Sequence, residues 1–314
     1  MGKLHILAGA MLLMACTGNK SVAAEGDAAT DLAGVDAPTL VKSDTLVLEV
    51  VEFQDSSRYK VKVVDYSSDE DPAPYEVETV TDTYQASSLK AVGGKPEVVE
   101  FINQWLTLDA AGKTPGEDVT AETVAAEYAK LKKEAGIADV KAAMKQAILA
   151  YLSGQADDEE EMLELPFASA NDAASNILFK WQTPTLLTLW DGGYEYNAGA
   201  AHGMPWGYGR TFDLKNLRLL TLDDIITKEG RETVLKMIIA QLQKEYKEEL
   251  DMMNPADEID FPGMAPSLMA EGVSFDYGAY EIGAYALGMP GVIVPYNKLK
   301  PYLTPEVKTL LGLK

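Results

Sequence analysis

An α+β fold, with mostly antiparallel sheets packed against helices in two subdomains, is what this sequence predicts. Three observations carry the expectation. Strand-type runs are interspersed with long helical patterns, but never in the regular strand–helix–strand alternation that builds a parallel sheet. The composition, 47% hydrophobic with 24% charged, is that of a chain able to bury a core. The length of 314 residues accommodates two domains of ~100–150 residues each.

The elements follow in order. Residues 1–15 read as a secretory signal: a cationic start at Lys3, an apolar run over 6–14 broken only by Gly9, then the small Ala15. That run is well short of the ~20 apolar residues a membrane-spanning helix needs. Residues 16–43, rich in Ala, Gly and Asp with no apolar period, read as a flexible tether. Residues 44–160 are the first α+β unit. A β-rich run at 45–53 and a period-two alternation at 58–66 predict a hairpin turning through Gln54, Asp55, Ser56 and Ser57. An acidic, Pro-punctuated loop at 67–74 precedes a third strand at 75–84. Pro96, suited to a first helical turn, opens a helix carrying Val98, Phe101, Ile102 and Trp105. Thr120 caps the next, with Val124, Tyr128 and Leu131 on one face and Gly136 at its end. A third helix runs over 138–152. The run Asp157-Asp158-Glu159-Glu160-Glu161 lacks the glycine-turned loop of a calcium site and reads as a solvated linker at the domain boundary.

Residues 161–314 are the second unit. Strands are expected at 176–181 and 185–196, separated at Pro184. In the second, Thr185, Leu187 and Leu189 alternate against Leu186, Thr188 and Trp190, and Gly192-Gly193 points to a bulge or tight turn. A small-residue loop over 197–205 leads to a returning strand at 206–214, a turn at Lys215-Asn216 and a short edge at 217–220. Thr221 or Asp223 caps a single helix over 225–246, with Val234, Ile238, Ile239, Leu242 and Tyr246 on its buried stripe. A Met/Pro-rich acidic loop, strands at 273–277 and 291–296, and a short helix near 305–311 complete the chain.

Charge narrows the partners. The chain has 27 Lys and Arg against 49 Asp and Glu, a formal net charge of −22. A phosphate backbone is bound by cationic side chains that release counterions, so nucleic acid is excluded. The same field disfavours anionic lipid headgroups and raises encounter rates with cationic partners. It also serves plain solubility.

The residues able to do chemistry are few. Cys16 is the only cysteine, and His202 the only histidine beyond His5 of the signal-type segment. A zinc site of the usual kind needs more imidazole or thiolate ligands than these supply, and no metal or cofactor is expected. No G-x-S-x-G elbow or phosphate-cradling glycine loop is present. His202 sits in Asn197-Ala198-Gly199-Ala200-Ala201-His202-Gly203, whose small residues let the backbone approach something closely. It could act as a base near neutral pH, or simply hydrogen-bond backbone groups and pin the loop. Tyr194, Tyr196, Trp206 and Tyr208 flank it, rings suited to a sugar or a protein surface, although strand alternation buries about half of such rings.

Two resemblances attach to these residues. The apolar-apolar-small triplet Leu13-Met14-Ala15 before Cys16 resembles the lipobox of bacterial lipoproteins, which implies acylation of Cys16 and cleavage before it. The stretch Tyr194-Glu195-Tyr196-Asn197-Ala198-Gly199-Ala200-Ala201-His202-Gly203, then Thr211-Phe212-Asp213-Leu214 and Leu220-Thr221-Leu222-Asp223-Asp224-Ile225, resembles the RsiV-like domain. Phe275-Asp276-Tyr277-Gly278-Ala279-Tyr280-Glu281-Ile282-Gly283-Ala284-Tyr285 and Val294-Pro295-Tyr296 continue the likeness over roughly 176–303. The chain departs from that family's Gly-Gly-Ala-His-Gly run at Ala198-Gly199-Ala200, one residue longer and with Ala200 in place of a glycine. The first unit is similar to the companion domain found beside peptidoglycan-deacetylase and anti-sigma-factor ectodomains. No deacetylase domain or sigma-binding segment accompanies it, so neither activity carries over.

The resemblance implies an extracytoplasmic module of the bacterial envelope, and some family members bind lysozyme, a cationic protein. The expectation is therefore a lipid-anchored binding protein. Its contact surface is His202, Gly203, Gly199, Tyr194, Tyr196, Trp206 and Tyr208, and its ligand is lysozyme or cell-wall material. The alternative is a hydrolase of wall glycan or peptide that pairs His202 with a carboxylate. A structural envelope protein without a soluble ligand is a third reading.

Overall fold

The computed structural model describes residues 45–116, 119–153 and 162–313. The signal-type segment, the tether with Cys16, the acidic run 157–161 and the boundary expected near 160 lie outside the described residues. The chain opens on β1 (Val47–Val64) and β2 (Tyr75–Gly93), a single antiparallel hairpin. The turn expected at 54–57 does not exist. Gln54, Asp55, Ser56 and Ser57 run straight through β1 opposite Gln85, Tyr84, Thr83 and Asp82, and the expected third strand is the first half of β2. Cross-strand pairing outweighs the weak strand preference of these polar residues. The reversal sits in the acidic loop instead, where the Asp65 carboxylate accepts from the Ser67 N–H (3.0 Å) and hydroxyl (2.6 Å).

Three helices follow: α1 (Pro96–Ala110), α2 (Ala121–Ala135) and α3 (Val140–Leu152). Local signals place them as expected. Pro96 starts α1, Thr120 and Thr123 cap α2 reciprocally, and Gly136 ends it at φ 70°. The Asp139 carboxylate accepts from Ala142 N–H to open α3. Next come β3 (Leu163–Leu165), β4 (Asp172–Gln182), β5 (Leu186–Tyr196), β6 (Met204–Asp213) and β7 (Arg218–Leu219). With the first hairpin they form one seven-stranded sheet, ordered β3-β1-β2-β4-β5-β6-β7. Two of its pairings, β1 with β3 and β2 with β4, are parallel and the rest antiparallel. The second joins the two halves of the chain into a continuous sheet.

The helix expected over 225–246 is two. These are α4 (Leu222–Ile225) and α5 (Arg231–Glu245), separated by an extended Ile226 and a 3₁₀ turn at Lys228–Gly230 capped by Thr227. The break has a tertiary cause: the Thr227 N–H donates to the Tyr302 carbonyl (2.8 Å), tying the interruption to the C-terminal segment. A three-stranded antiparallel sheet follows from β8 (Ser267–Leu268), β9 (Gly272–Asp276) and β10 (Gly291–Pro295), then α6 (Tyr296–Leu299) and α7 (Pro305–Leu310).

Alternation along β5 explains the layering. Leu187 and Leu189 enter a core with Phe101, Ile102 and Trp105 of α1, where the Trp105 ring meets Phe212 edge-on at 4.8 Å. Leu186 enters a second core with Val234, Ile238, Phe275 and Val294. On that second face the buried Thr188 hydroxyl donates to the Leu268 carbonyl (2.6 Å), and the Leu268 N–H donates to the Thr211 hydroxyl (2.9 Å). The large sheet is thus the middle layer, with α1–α3 on one face and the small sheet with α5 on the other. Gly192 and Gly193 make no bulge; the irregularity lies in β4 between Phe179 and Trp181. The glycines make room for rings, since a Cβ on Gly192 would meet the Trp190 indole at 2.7 Å and one on Gly193 the Trp206 ring at the same distance. Among the described residues, no helix is long and apolar enough to cross a membrane, and no group of three or more His, Cys, Asp or Glu could hold a metal.

Candidate functional site

The loop between β5 and β6 is held from below by a buried polar network. Asp82, 2% exposed, accepts from the Tyr59 hydroxyl (2.9 Å), the Asn171 N–H (2.7 Å) and the Asn171 side-chain amide (2.9 Å). The hydroxyl proton of Tyr59 is held above its ordinary range by burial first and Asp82 second. Asn171 in turn accepts the Ala198 N–H at 2.8 Å, which fixes the start of the loop. Gly199 turns the chain at φ 81°, against Leu165. None of these contacts requires a ligand; they set where His202 stands.

His202 is exposed and sits within a cluster of rings. Its Nδ1 lies 3.0 Å from the Gly203 carbonyl and its Nε2 lies 3.0 Å from the Tyr280 hydroxyl. A carbonyl only accepts, so Nδ1 carries a proton, and in the neutral ring Nε2 then accepts from the Tyr280 hydroxyl. Tyr285 stacks on the imidazole at 3.9 Å and 21°, and its hydroxyl donates to the same Gly203 carbonyl (2.6 Å). Tyr280 lies 5.4 Å from Tyr285, and Tyr194 packs its ring where a Cβ on Gly203 would have to be. Burial pushes the Tyr194 hydroxyl up, and the neighbouring Tyr285 adds to it. Tyr280 holds φ 67°, a left-handed conformation that costs an aromatic residue ~1–3 kcal/mol. The surrounding turn sustains it: the Glu281 carboxylate accepts from the Gly278 and Gly263 N–H groups, both at 2.6 Å.

The structure therefore divides the residues that the sequence grouped. His202, Gly203 and Tyr194 come together. Tyr196 points its hydroxyl to Ser169 (3.1 Å), and Gly199 supports the loop. Trp206 and Tyr208 are on the opposite face of the sheet, because the pleat sends them the same way as Phe212. There Arg210 lies 4.3 Å over the Tyr208 ring and 3.5 Å from Asp191, while Asp109 of α1 is pushed up to about 8 by burial and by Asp191. Asp191 is itself raised by burial, against the pull of Arg210. Tyr280 and Tyr285 were not among the predicted site residues. Their sequence signal is the glycine-rich, tyrosine-bearing stretch 275–285 that continues the resemblance, and the fold alone sets it beside a loop about eighty residues earlier.

Chemically, the cluster presents stacked, exposed rings with polar rims. The two nitrogens of His202 meet a carbonyl and a hydroxyl; no carboxylate hydrogen-bonds to the ring among the described residues. No family model matches the chain, and no curated protein matches it. Among solved structures it is similar to a member of the DUF3298 family from Bacteroides fragilis, at 19% identity and a TM-score of 0.57, over 87% of this chain and 98% of that chain. A DUF3298 family protein from Pseudomonas aeruginosa is similar at 16% identity and a TM-score of 0.48, over 84% of this chain and 97% of that chain. The Bacteroides likeness is one of fold.

Proposed function

We propose that this chain is an extracytoplasmic binding protein of the bacterial envelope, anchored by a lipid on Cys16, whose ligand meets the face made by His202, Tyr194, Tyr280 and Tyr285. One observation carries the reading: an exposed imidazole, stacked on Tyr285 and hydrogen-bonded through both nitrogens to groups that are not carboxylates. A general base needs a free, oriented lone pair, whereas a fixed stack of rings with hydroxyl rims suits recognition of a sugar or a protein surface. The RsiV-like motif and the net charge of −22 favour a cationic protein, lysozyme first, over wall glycan.

The test measures binding and turnover together, with the purified protein against lysozyme and against wall fragments. Tyr285→Ala and His202→Ala should each weaken binding by ~1–3 kcal/mol, the range for losing a packed hydrogen-bond partner, with no turnover by any form. Association should also slow as salt rises past the point where the Debye length falls to ~8–10 Å. Degradation of wall material by the wild type, lost in His202→Ala, would replace this reading with the hydrolase.

A further inference from the structure

We propose that the free edge of β1 pairs with the same edge of a second copy of this chain, antiparallel about a two-fold axis at Ser56. β2 takes one edge of this 18-residue strand along its whole length, but β3 takes the other only at residues 61–63. Over 48–60 no backbone group of another described segment hydrogen-bonds to that side. Proteins usually keep such edges short, bulged, proline-bearing, covered or charged, and over 48–60 charge is the one such device present among the described residues. This one is long, contains no proline, and past its first residue has no irregularity in register.

The order of charges along the edge identifies the occupant. On the outward face Glu52 comes first and Arg58 and Lys60 come after, while Glu49 and Asp55 lie on the other face and Lys62 is paired with Glu164 of β3. A strand acidic in one half and basic in the other complements an antiparallel copy of itself, and each favourable contact occurs twice. Across β2 the residues Glu52, Arg58 and Lys60 face only Ser87, Thr81 and Thr79, and none of the three belongs to an ion pair among the described residues. Their charges are available to a partner.

Pleating restricts the register. To keep outward residues opposite outward residues, paired numbers must sum to an even value. A sum of 112 sets Glu52 against the partner's Lys60 and Ser56 against the partner's Ser56. On the inner side it sets the half-buried Phe53 against the partner's Tyr59. A sum of 110 would put Asp55 against its own copy. A sum of 114 would need Lys62, whose edge β3 already occupies. The favoured register extends the sheet across the axis by main-chain hydrogen bonds.

Sedimentation equilibrium on the full chain carrying Cys16→Ser, which removes its only thiol, reads the assembly directly. The expected result is a dimer of the 34.0 kDa chain. Glu52→Lys should weaken it tenfold or more, and adding Lys60→Glu should restore it. In the same Cys16→Ser background, Ser56→Cys should give a disulfide-linked dimer, because facing residues on antiparallel strands lie ~4.5–5.5 Å apart at Cα, within disulfide reach. Circular dichroism confirms that each variant is folded. A folded protein that stays monomeric at every concentration, or a dimer indifferent to both charge reversals, would overturn the proposal. Neither outcome bears on the His202 face.

Discussion

Asp109 shows what one carboxyl does when its neighbours are fixed by tertiary structure. It lies in the last turn of α1, where the helix dipole favours a cation, beside Asp191 and with Arg210 as the opposing charge. Burial is the largest effect, and the carboxyl is pushed from 3.8 to about 8. The folded state therefore holds a proton that the unfolded chain releases near pH 4. Stability contributed by this group is full below that point and is lost as pH climbs toward 8, by up to ~1.4 kcal/mol per pH unit for one proton. Asp109→Asn imitates the protonated form. Its thermal stability relative to wild type should rise between pH 5 and pH 8, and parallel melting curves over that range would refute the assignment. Nothing in the sequence marks Asp109, because its partners come from strands eighty and a hundred residues away.

Elements were legible where their ends are local and illegible where their partners are distant. Pro96, Thr120 and Gly136 act within one helical turn, so α1 and α2 could be read residue by residue. The apparent turn at 54–57 and the unbroken helix at 225–246 failed because β2 and the Tyr302 carbonyl decide those places. The glycine pair in β5 gives a direct test. A Cβ on Gly193 would collide with the Ala174 carbonyl as well as the Trp206 ring, and a backbone atom in mid-sheet cannot move aside. Gly193→Ala should cost ~1–3 kcal/mol in urea denaturation, as overpacking does. Gly116→Ala, with nothing within 4 Å of the added methyl, is the control. Equal midpoints for the two would show that the sheet accommodates the added methyl and that packing does not require Gly193.

At the scale of the molecule, one sheet serves both halves of the chain and carries a different core on each face. The exposed ring cluster stands where β5, β6 and the segment after β9 meet. The anchoring proposal belongs here too. Cys16→Ser should move the protein out of the membrane fraction while leaving its circular dichroism unchanged, since the described fold begins at residue 45. Membrane retention of the serine form would defeat the lipid anchor.

By itself the sequence determined the α+β class, the ends of α1 and α2, the acidity and the loop around His202, since these depend on composition or on contacts a few residues long. It correctly set Leu187 and Leu189 against Leu186, because pleating alone dictates that alternation. Only the tertiary structure decided that Trp206 and Tyr208 belong under the helices and that Tyr280 and Tyr285 complete the His202 cluster. The physical reason is that a strand's period of two says which residues share a face, while sheet order and covering layers say what that face meets.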